Sequence, residues 1–404
     1  MPKLLIVNVA SNWGSHGRIV ESIGLHCLNS GWEVKVAHGQ FFNPSSLDTI
    51  RIGSRATVYC HYLRSLFDAH GRGSKRATRE FIRQVKDYDP DIIHLNIIHD
   101  YYINYDILFR YLSICGKPVV WTFHDCWAFT GHCAHFENEH CYKWKRGCHN
   151  CINRQKYPRA IIDRSERNYR LKRTAFNSVG NMTIVACSRW ISSFLPDSFF
   201  KNYPVETIYN GIELNDFRYT YDAEVYKKYG ISRDKFVILG LASRWDKMKG
   251  LYDILELDDI LEHRLYQIVL VGLKKSQLTL LPSTVIGIER TDSKAELAAL
   301  YSVAGAFVNP TYEDTLPTTN IEALACGTPV VTYRTGGCPE TIDADTGYVV
   351  PRGDIISMHR CIQQIHANGK AYYQQKCSTR ARSLFSTELC CSNYEDLYLR
   401  LLNV

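Results

Sequence analysis

The chain has 404 residues, 45% of them hydrophobic and 22% charged, a composition typical of globular proteins but too long for one ordinary core. No apolar run approaches the roughly 20 residues that cross a bilayer, which excludes a membrane-spanning helix. The apolar stretch Leu4 to Val9 is not followed by the cleavage site of a signal peptide. We therefore expect a cytoplasmic protein of two domains.

The formal net charge of +7 is unevenly distributed along the chain. Residues 1–200 contain 26 Lys and Arg against 16 Asp and Glu, whereas residues 201–404 contain 22 against 25. A basic first half favours an anionic partner such as a phosphate group, a nucleic acid or a lipid surface. For any single basic residue, a solvated surface position is the alternative interpretation.

The first half alternates short apolar runs with helical patterns, which predicts parallel strands joined by helices on both faces of a sheet. The predicted strands cover 3–9, 32–37, 91–95, 118–123 and 183–186, and the predicted helices cover 19–30 and 75–88. The second half repeats the pattern. Its predicted strands cover 236–241, 267–271, 284–288, 306–308 and 329–332, and its predicted helices cover 295–302 and 320–325.

These patterns predict an α/β protein of two doubly wound domains, with ligands beyond the carboxyl ends of the strands, in a cleft that the domains face. The first domain, 1–200, carries a cysteine-rich insertion at 126–151. The second domain covers 205–380, and a final helix at 387–404 is expected to cross back to the first domain.

Two acidic residues, Asp314 and Glu322, are separated by seven residues in NPTYEDTLPTTNIEALACGTPVV. A polar loop leads here into a predicted helix, whose first N–H groups form an anion site. A carboxylate such as Glu322 can accept two hydrogen bonds from a ribose diol. Acidic residues near a helix start can also simply complement its dipole. The backbone amides expected to hold an anion belong to Thr315, Leu316, Thr318 and Thr319.

This segment resembles the E-x7-E signature of retaining glycosyltransferases of family 4, with Asp in the first position. The resemblance implies the GT-B fold, two Rossmann-like domains, and transfer of a sugar, of the hexosyl type, from a nucleotide-sugar donor. It also implies that Glu322 holds the ribose and Asp314 contacts the donor sugar. Pro317 stands where the family usually has Gly, so one amide contact is missing or comes from Thr318.

A second match is GLASRWDKMKGL, in which Arg244 and Lys249 follow a predicted strand. The family carries a similar pair that clamps the donor diphosphate. Fixed cations there would stabilise charge on the departing phosphate, so no catalytic metal is expected. Isolated from this context, the two residues would be interpreted as solvated surface cations.

Two matches lie in the first half. The glycine-bearing loop SNWGSHGR, Ser11 to Arg18, joins the first strand to the first helix, and we expect Gly17 to let the backbone approach the donor. His124 follows the strand VVWTF directly, where the family has a histidine that contacts the donor sugar. Asp125 follows it. A structural, hydrogen-bonded histidine is the alternative.

The insertion contains Cys133, Cys141, Cys148 and Cys151, with the spacing C-x7-C-x6-C-x2-C. Four thiolates suit a structural zinc ion, although the usual first CxxC pair is missing. Free buried thiols are one alternative, and an iron–sulfur cluster is another that is less expected in a transferase. A histidine of the same segment could also replace a thiolate, and the candidates are His132, His135, His140 and His149. A subset of family 4 has a similar segment after its HD motif.

The sequence therefore predicts a retaining glycosyltransferase with a nucleotide-sugar donor and a saccharide or polyprenyl-diphosphate-linked acceptor, acting in surface polysaccharide synthesis. Peripheral contact with the inner face of the membrane follows from the family analogy. A nucleotide-sugar epimerase of the same fold is one alternative. A zinc-knuckle nucleic-acid-binding protein is a remote one, because it leaves Arg244, Lys249, Asp314 and Glu322 unexplained, and no nucleic-acid partner is expected.

Overall fold

The computed structural model describes residues 1–403 and divides the chain into two units. Unit 1 consists of Met1–Tyr209 together with the chain from Cys390 onward, and unit 2 is Asn210–Leu389. Among the described residues, no helix is both long and apolar enough to cross a membrane.

Unit 1 contains one fully parallel sheet of seven strands. The strands are β1 (Lys3–Ser11), β2 (Glu33–Phe42), β3 (Asp48–Arg51), β4 (Ile92–Leu95), β5 (Val119–Phe123), β6 (Met182–Ala186) and β7 (Val205–Thr207). The helices are α1 (Gly14–Asn29), α2 (Arg55–Ser65), α3 (Lys75–Tyr88), α4 (Tyr105–Leu112), α5 (Ser165–Phe176) and α6 (Arg189–Ser192).

The strand order in unit 1 is β3-β2-β1-β4-β5-β6-β7, so the direction of winding reverses between β1 and β4. Every residue of β4, β5 and β6 is buried, which explains why these strands are continuous apolar runs in the sequence. Such a reversal opens a crevice at the carboxyl ends of the two strands. The loops after β1 and β4 flank that crevice.

Unit 2 contains a second fully parallel sheet, of six strands. The strands are β8 (Phe236–Leu241), β9 (Tyr266–Val271), β10 (Val285–Ile288), β11 (Ala306–Asn309), β12 (Val330–Tyr333) and β13 (Gly347–Val350). The helices are α7 (Glu224–Tyr229), α8 (Leu251–Ile260), α9 (Lys275–Leu278), α10 (Lys294–Val303), α11 (Thr318–Ala325), α12 (Cys338–Thr341), α13 (Ile355–Asn368) and α14 (Lys370–Phe385). Its order, β10-β9-β8-β11-β12-β13, reverses between β8 and β11.

The last helix, α15 (Thr387–Leu402), belongs to unit 1 from Cys390 onward. Tyr394 and Tyr398 of this helix are buried in the same apolar cluster as β1 and α1. The Tyr394 hydroxyl lies 2.9 Å from Thr122 Oγ1, and the Tyr398 hydroxyl lies 2.7 Å from His94 Nδ1. The helix is therefore part of the core of unit 1.

The first predicted helix, 19–30, was placed too far along the chain. Helix α1 begins at Gly14, directly after β1, so the expected loop from Ser11 to Arg18 is largely helical. The sequence does not mark the start of α1, because the N-cap residue is Trp13, whose side chain makes no capping hydrogen bond.

Candidate active site

The loop after β8 presents Lys249 in a fixed conformation. The Asp246 carboxylate accepts hydrogen bonds from the backbone N–H of Met248 (2.9 Å) and of Lys249 (3.1 Å), and so caps the short 3-10 helix Lys247–Lys249. Gly250 follows with φ of 72°, and a Cβ there would lie 2.2 Å from the carbonyl oxygen of Pro310. Only glycine allows this close approach of the two loops.

Lys249 forms an ion pair with Asp314 from the loop after β11. Its Nζ lies 2.8 Å from Asp314 Oδ2 and 3.2 Å from the carbonyl oxygen of Glu313. Burial acts to lower the pKa of Lys249, but the Asp314 carboxylate outweighs burial and the pKa is raised. The ammonium is therefore charged at neutral pH and fixed at the crevice between β8 and β11.

The backbone of Asp314 is positioned by Gly336, which lies just after β12. Gly336 has φ of 51°, and a Cβ at this position would lie 1.7 Å from the Asp314 carbonyl oxygen. The Tyr312 N–H also donates to the Met248 carbonyl oxygen at 2.8 Å. Gly336 thus allows the close packing that holds the acidic loop in place.

Arg244 extends from the same loop as Lys249, with 71% of its side chain exposed. Its Nε lies 3.5 Å from Asp246 Oδ2, a weak contact at the surface. The guanidinium can therefore reach an anion without first losing a strong ion pair.

The N-terminus of helix α11 has no side-chain cap. Pro317 is its N-cap residue and provides no side-chain hydrogen bond, so the first N–H of the helix is that of Thr318. Thr315 and Thr318 are half-buried, whereas Leu316 is buried. The amide donors and the positive end of the helix dipole make this end suitable for an anion.

Glu322 lies in the second turn of α11, where Tyr301 of α10 orients its carboxylate. The Tyr301 hydroxyl donates to Glu322 Oε2 at 3.0 Å, and Tyr301 is fully buried. Burial, together with the neighbouring Glu322, holds the pKa of Tyr301 well above its usual value, so the hydroxyl remains a donor. A carboxylate held in this way has acceptor capacity left for a diol.

His124 lies at the carboxyl end of β5 in unit 1, and it is buried. Its Nε2 lies 3.0 Å from Asn96 Oδ1, which follows β4, and its ring packs edge-on against His16 of α1 with centroids 4.6 Å apart. Burial and the neighbouring His16 hold the pKa of His124 well below its usual value. The imidazole is therefore neutral and acts through hydrogen bonds.

Asp125 is paired with His99, the histidine that follows β4. His99 Nε2 lies 2.9 Å from Asp125 Oδ2. Burial would raise the pKa of Asp125, but His99 outweighs it and the pKa is lowered. Asp125 thus orients His99.

Gly17 lies inside α1 rather than in a loop, which corrects the expected basis for its donor-binding role. It is buried, and a Cβ there would lie 3.4 Å from Ala10 Cβ and from the Asn12 backbone nitrogen. The glycine thus lets α1 pack closely against the end of β1. A flexible loop backbone at this position is excluded.

The four cysteines of the insertion line one pocket of about 310 Å³, part of which is open solvent. Cys133 and Cys151 form a thiol–thiol hydrogen bond, which lowers the pKa of Cys133. Cys148 Sγ accepts from the Gly131 N–H at 3.1 Å, and burial raises the pKa of Cys148 to about 12. The structure therefore brings Cys133, Cys148 and Cys151, together with Cys141, around one space.

Several positioning residues were missed by sequence reasoning, because their roles depend on tertiary contacts. Only Asp246 had a local signal, since an aspartate directly before a helical turn is typical of an N-cap. The others were Tyr301, Asn96, His16 and His99.

Two family models match the chain, one in each half. The Glycosyltransferase Family 4 model matches residues 17–216, and the model for glycosyl transferases group 1 matches residues 223–384. The second match includes all the donor-site residues of unit 2.

Among curated proteins, the chain is 25% identical over 330 residues to WcaC of Escherichia coli K12, a glycosyl transferase named for colanic acid biosynthesis. This match covers 77% of each protein. The capsular polysaccharide biosynthesis glycosyltransferase CapM of Staphylococcus aureus is 22% identical over 201 residues, covering 47% of this chain and 52% of CapM.

Among solved structures, a sucrose-phosphate synthase from Thermosynechococcus elongatus matches with a TM-score of 0.75 and 19% identity, covering 100% of both chains. Anabaena HepE in complex with UDP-glucose matches with a TM-score of 0.65 and 14% identity, covering 98% of both chains. These similarities concern the fold.

The two parallel Rossmann-like sheets and the similarity to solved structures show the GT-B fold, and the family models show that the chain is a glycosyltransferase. Together the two family models match nearly all of residues 17–384, and both describe glycosyltransferases. The chain belongs to glycosyltransferase family 4.

Proposed function

We propose that this enzyme transfers a hexosyl group from a nucleoside-diphosphate sugar with retention of anomeric configuration. The observation that carries the proposal is the Lys249–Asp314 pair at the crevice of unit 2, with Arg244 exposed beside it. A cation held beside a carboxylate there is suited to a substrate with both a diphosphate and a sugar.

The leaving group is a nucleoside diphosphate, whose negative charge grows as the glycosidic bond breaks. Lys249 and Arg244 would stabilise this charge, as fixed cations do most effectively where water is excluded. The backbone amides of Thr315, in the loop before α11, and of Thr318, the first residue of α11, would add donors. Since two cations supply the positive charge, we propose that no catalytic metal takes part.

Retention is proposed from the roles of the two carboxylates. Asp314 is held by Lys249, and Glu322 is held by Tyr301 and assigned to the ribose. Neither is proposed as a nucleophile. Attack by the acceptor on the same face, with the departing phosphate taking the acceptor proton, then needs no covalent intermediate. His124, neutral and buried in unit 1, is proposed to hydrogen-bond the transferred sugar.

For the acceptor, we propose a saccharide or a polyprenyl-diphosphate-linked saccharide in surface polysaccharide synthesis at the cytoplasmic face of the membrane. The names of WcaC and CapM support the process. Support for membrane contact comes from α2 and the turn after it, where four large apolar side chains are exposed beside Arg55 and Arg64. These side chains are Tyr59, Tyr62, Leu63 and Phe67.

The cysteine pocket is proposed to hold a structural zinc ion through Cys133, Cys141, Cys148 and Cys151. Its support is that one pocket is lined by all four thiols. We expect this pocket to hold one thiolate-bound zinc ion per chain in purified protein. Cys148→Ser should release it and lower the melting temperature, whereas Cys60→Ser, which replaces an exposed cysteine of α2, should do neither. Wild-type protein without metal would contradict the proposal.

The donor assignment is tested by thermal shift with UDP, GDP and ADP and their sugar conjugates, followed by turnover with the conjugate that binds. One nucleotide should raise the melting temperature of the wild type. Glu322→Ala should weaken that binding about tenfold or more, because the ribose loses a charged acceptor. If the same nucleotide bound Glu322→Ala with unchanged affinity, the site would be misassigned.

A further inference from the structure

A second cluster of ligand-type atoms lies in unit 1, away from the cysteine pocket. His70 comes from the segment between α2 and α3, and His99 and Asp100 follow β4. One atom from each, a ring nitrogen or a carboxylate oxygen, lies within 4.8 Å of the other two. Within residues 1–403 no other group of three His, Cys, Asp or Glu residues meets this spacing, the four cysteines included.

The three residues surround a single hydroxyl group. The Tyr157 hydroxyl lies 2.8 Å from His99 Nδ1 and 3.4 Å from His70 Nε2, and it hydrogen-bonds Asp100 Oδ1. His70 and His99 are about 5% and 6% exposed. The ligand-type atoms therefore converge on one point at which water has little access.

The atoms around the Tyr157 hydroxyl are mostly hydrogen-bond acceptors. Asp125 accepts from His99 Nε2, so in the neutral imidazole the other nitrogen, Nδ1, is an acceptor. The Asp100 N–H points at His70 Nε2 at 3.4 Å, so that nitrogen is also an acceptor. With the Asp100 carboxylate, three acceptors surround the single proton of the Tyr157 hydroxyl. A cation at this position would bind all three acceptor atoms and would replace the long contact of 3.4 Å from the Asp100 N–H to His70.

The backbone at this point is strained. Asp100 and Tyr101 both have φ of 70°, a left-handed conformation that is unfavourable for a non-glycine residue. Two such residues in succession aim the Asp100 carboxylate into the cluster. Strain of this kind persists where the surrounding structure fixes a functional geometry.

We propose that His70, His99 and Asp100 bind a divalent first-row transition-metal ion such as zinc, which displaces the Tyr157 hydroxyl. Two imidazoles and a carboxylate are borderline ligands suited to such ions. Asp125 takes the place of the carboxylate that commonly holds a metal-bound histidine by its other nitrogen. Tyr157 is 39% exposed, so its ring has room to move aside. The site goes beyond the proposed transferase function and does not rest on it.

The test is a Co²⁺ titration of metal-stripped, full-length protein followed by absorption spectroscopy. Thiolate ligands give an intense near-ultraviolet charge-transfer band, whereas a nitrogen–oxygen site gives only weaker visible bands, so the two candidate sites are distinguishable. In Cys148→Ser protein we expect one equivalent of nitrogen–oxygen-bound Co²⁺. Adding His70→Gln should weaken it at least about 100-fold, and adding Asp125→Asn about 10- to 100-fold.

Two further variants keep the result interpretable. Tyr157→Phe removes the competing hydroxyl but keeps the ring, so it should bind Co²⁺ at least as tightly as the parent. His263→Gln, at an exposed histidine of unit 2, should change nothing. The proposal is overturned if Cys148→Ser protein, with and without Tyr157→Phe, takes up no nitrogen–oxygen-bound Co²⁺. It is also overturned if adding His70→Gln leaves that binding intact while circular dichroism shows the native fold.

Discussion

Lys249 lies 2.8 Å from Asp314, so a phosphate that binds its ammonium competes with a carboxylate already in place. The pair keeps the lysine charged and stationary despite burial, and a fixed cation loses little entropy when the substrate arrives. Arg244 differs, because most of its side chain is exposed and its one ion contact is weak.

This difference makes Arg244→Ala a clean test of catalysis. We expect kcat to fall about 100-fold, since a fixed donor to the departing phosphate is lost, while the free energy of unfolding changes by less than about 0.5 kcal/mol. Steady-state kinetics and chemical denaturation check both. Arg264→Ala, at an arginine whose side chain is 90% exposed in the same unit, is the control and should leave turnover unchanged.

Tyr301 is predicted to act through Glu322. Tyr301→Phe removes the hydroxyl that donates at 3.0 Å and keeps the buried ring, so nucleotide binding should weaken about fivefold, equivalent to about 1 kcal/mol. Calorimetric titration with the cognate nucleoside diphosphate measures this. Tyr348→Phe removes a hydroxyl that contacts only Tyr373 among the hydrogen bonds described and should bind normally. Equal affinities for the two variants would argue against a positioning role.

At the scale of elements, the donor site is built from loops that follow parallel strands, and glycines set how closely those loops approach. Gly250 fits the loop after β8 against Pro310, and Gly336 fits the turn after β12 against Asp314. In both places an added Cβ would meet a backbone oxygen, which cannot rotate away as a side chain can.

Gly336→Ala should therefore displace the Asp314 loop. We expect a loss of more than about 2 kcal/mol in stability, because a Cβ 1.7 Å from a carbonyl oxygen adds to the cost of a left-handed alanine. The Lys249 pair should be disrupted and turnover should fall with it. Gly180→Ala is the control, since nothing lies within 4 Å of its Cβ and its φ is not positive. Thermal denaturation and steady-state kinetics of both variants are the measurements. Equal losses of stability and turnover in Gly336→Ala and Gly180→Ala would contradict a role for the close approach of Gly336 to Asp314.

The central strands were predictable from sequence because each is buried on both faces and forms an uninterrupted apolar run, as in β8, predicted over the same six residues. Edge strand β3 was not, since Ile50 is its only buried residue. Helix α1 was misplaced because it starts without a cap.

For the site, Asp314, Glu322, Arg244 and Lys249 could be predicted because each falls at a fixed distance from a strand end or from another motif residue. The Lys249–Asp314 contact itself joins residues 65 apart in sequence, and no local pattern encodes it. Tyr301 was missed for the same reason, since it is one buried tyrosine among many aromatic residues until the fold places it beside Glu322.

At the scale of the whole molecule, the two units differ in their buried histidines. In unit 1, burial lowers the pKa of His94 to about 3 and that of His61 to about 4, and the pKa values of His70 and His124 are also held low. In unit 2 a lowered pKa is found only for His359, which is partly exposed.

Unit 1 should therefore be the more acid-sensitive unit. Between about pH 6.5 and the lowered folded value, an unfolded histidine binds a proton that the folded one excludes, so stability falls as the pH falls, by about 1.4 kcal/mol per pH unit for each histidine. Hydrogen exchange followed by mass spectrometry should show unit 1 losing protection at a higher pH than unit 2. His94→Gln should make the loss less steep. Simultaneous loss in both units, unaffected by His94→Gln, would contradict this account.

The route of the chain also bears on the order in which the protein is made. Unit 1 is discontinuous, because α15 contributes Cys390, Cys391, Tyr394, Leu397 and Tyr398 to the same core as the first strand. A ribosome that has finished residues 1–209 has not yet made these side chains, so Trp32 and His94 remain uncovered until unit 2 has been synthesised. Nascent chains interrupted before Cys390 would thus expose an apolar face, the kind of surface that chaperones and proteases recognise.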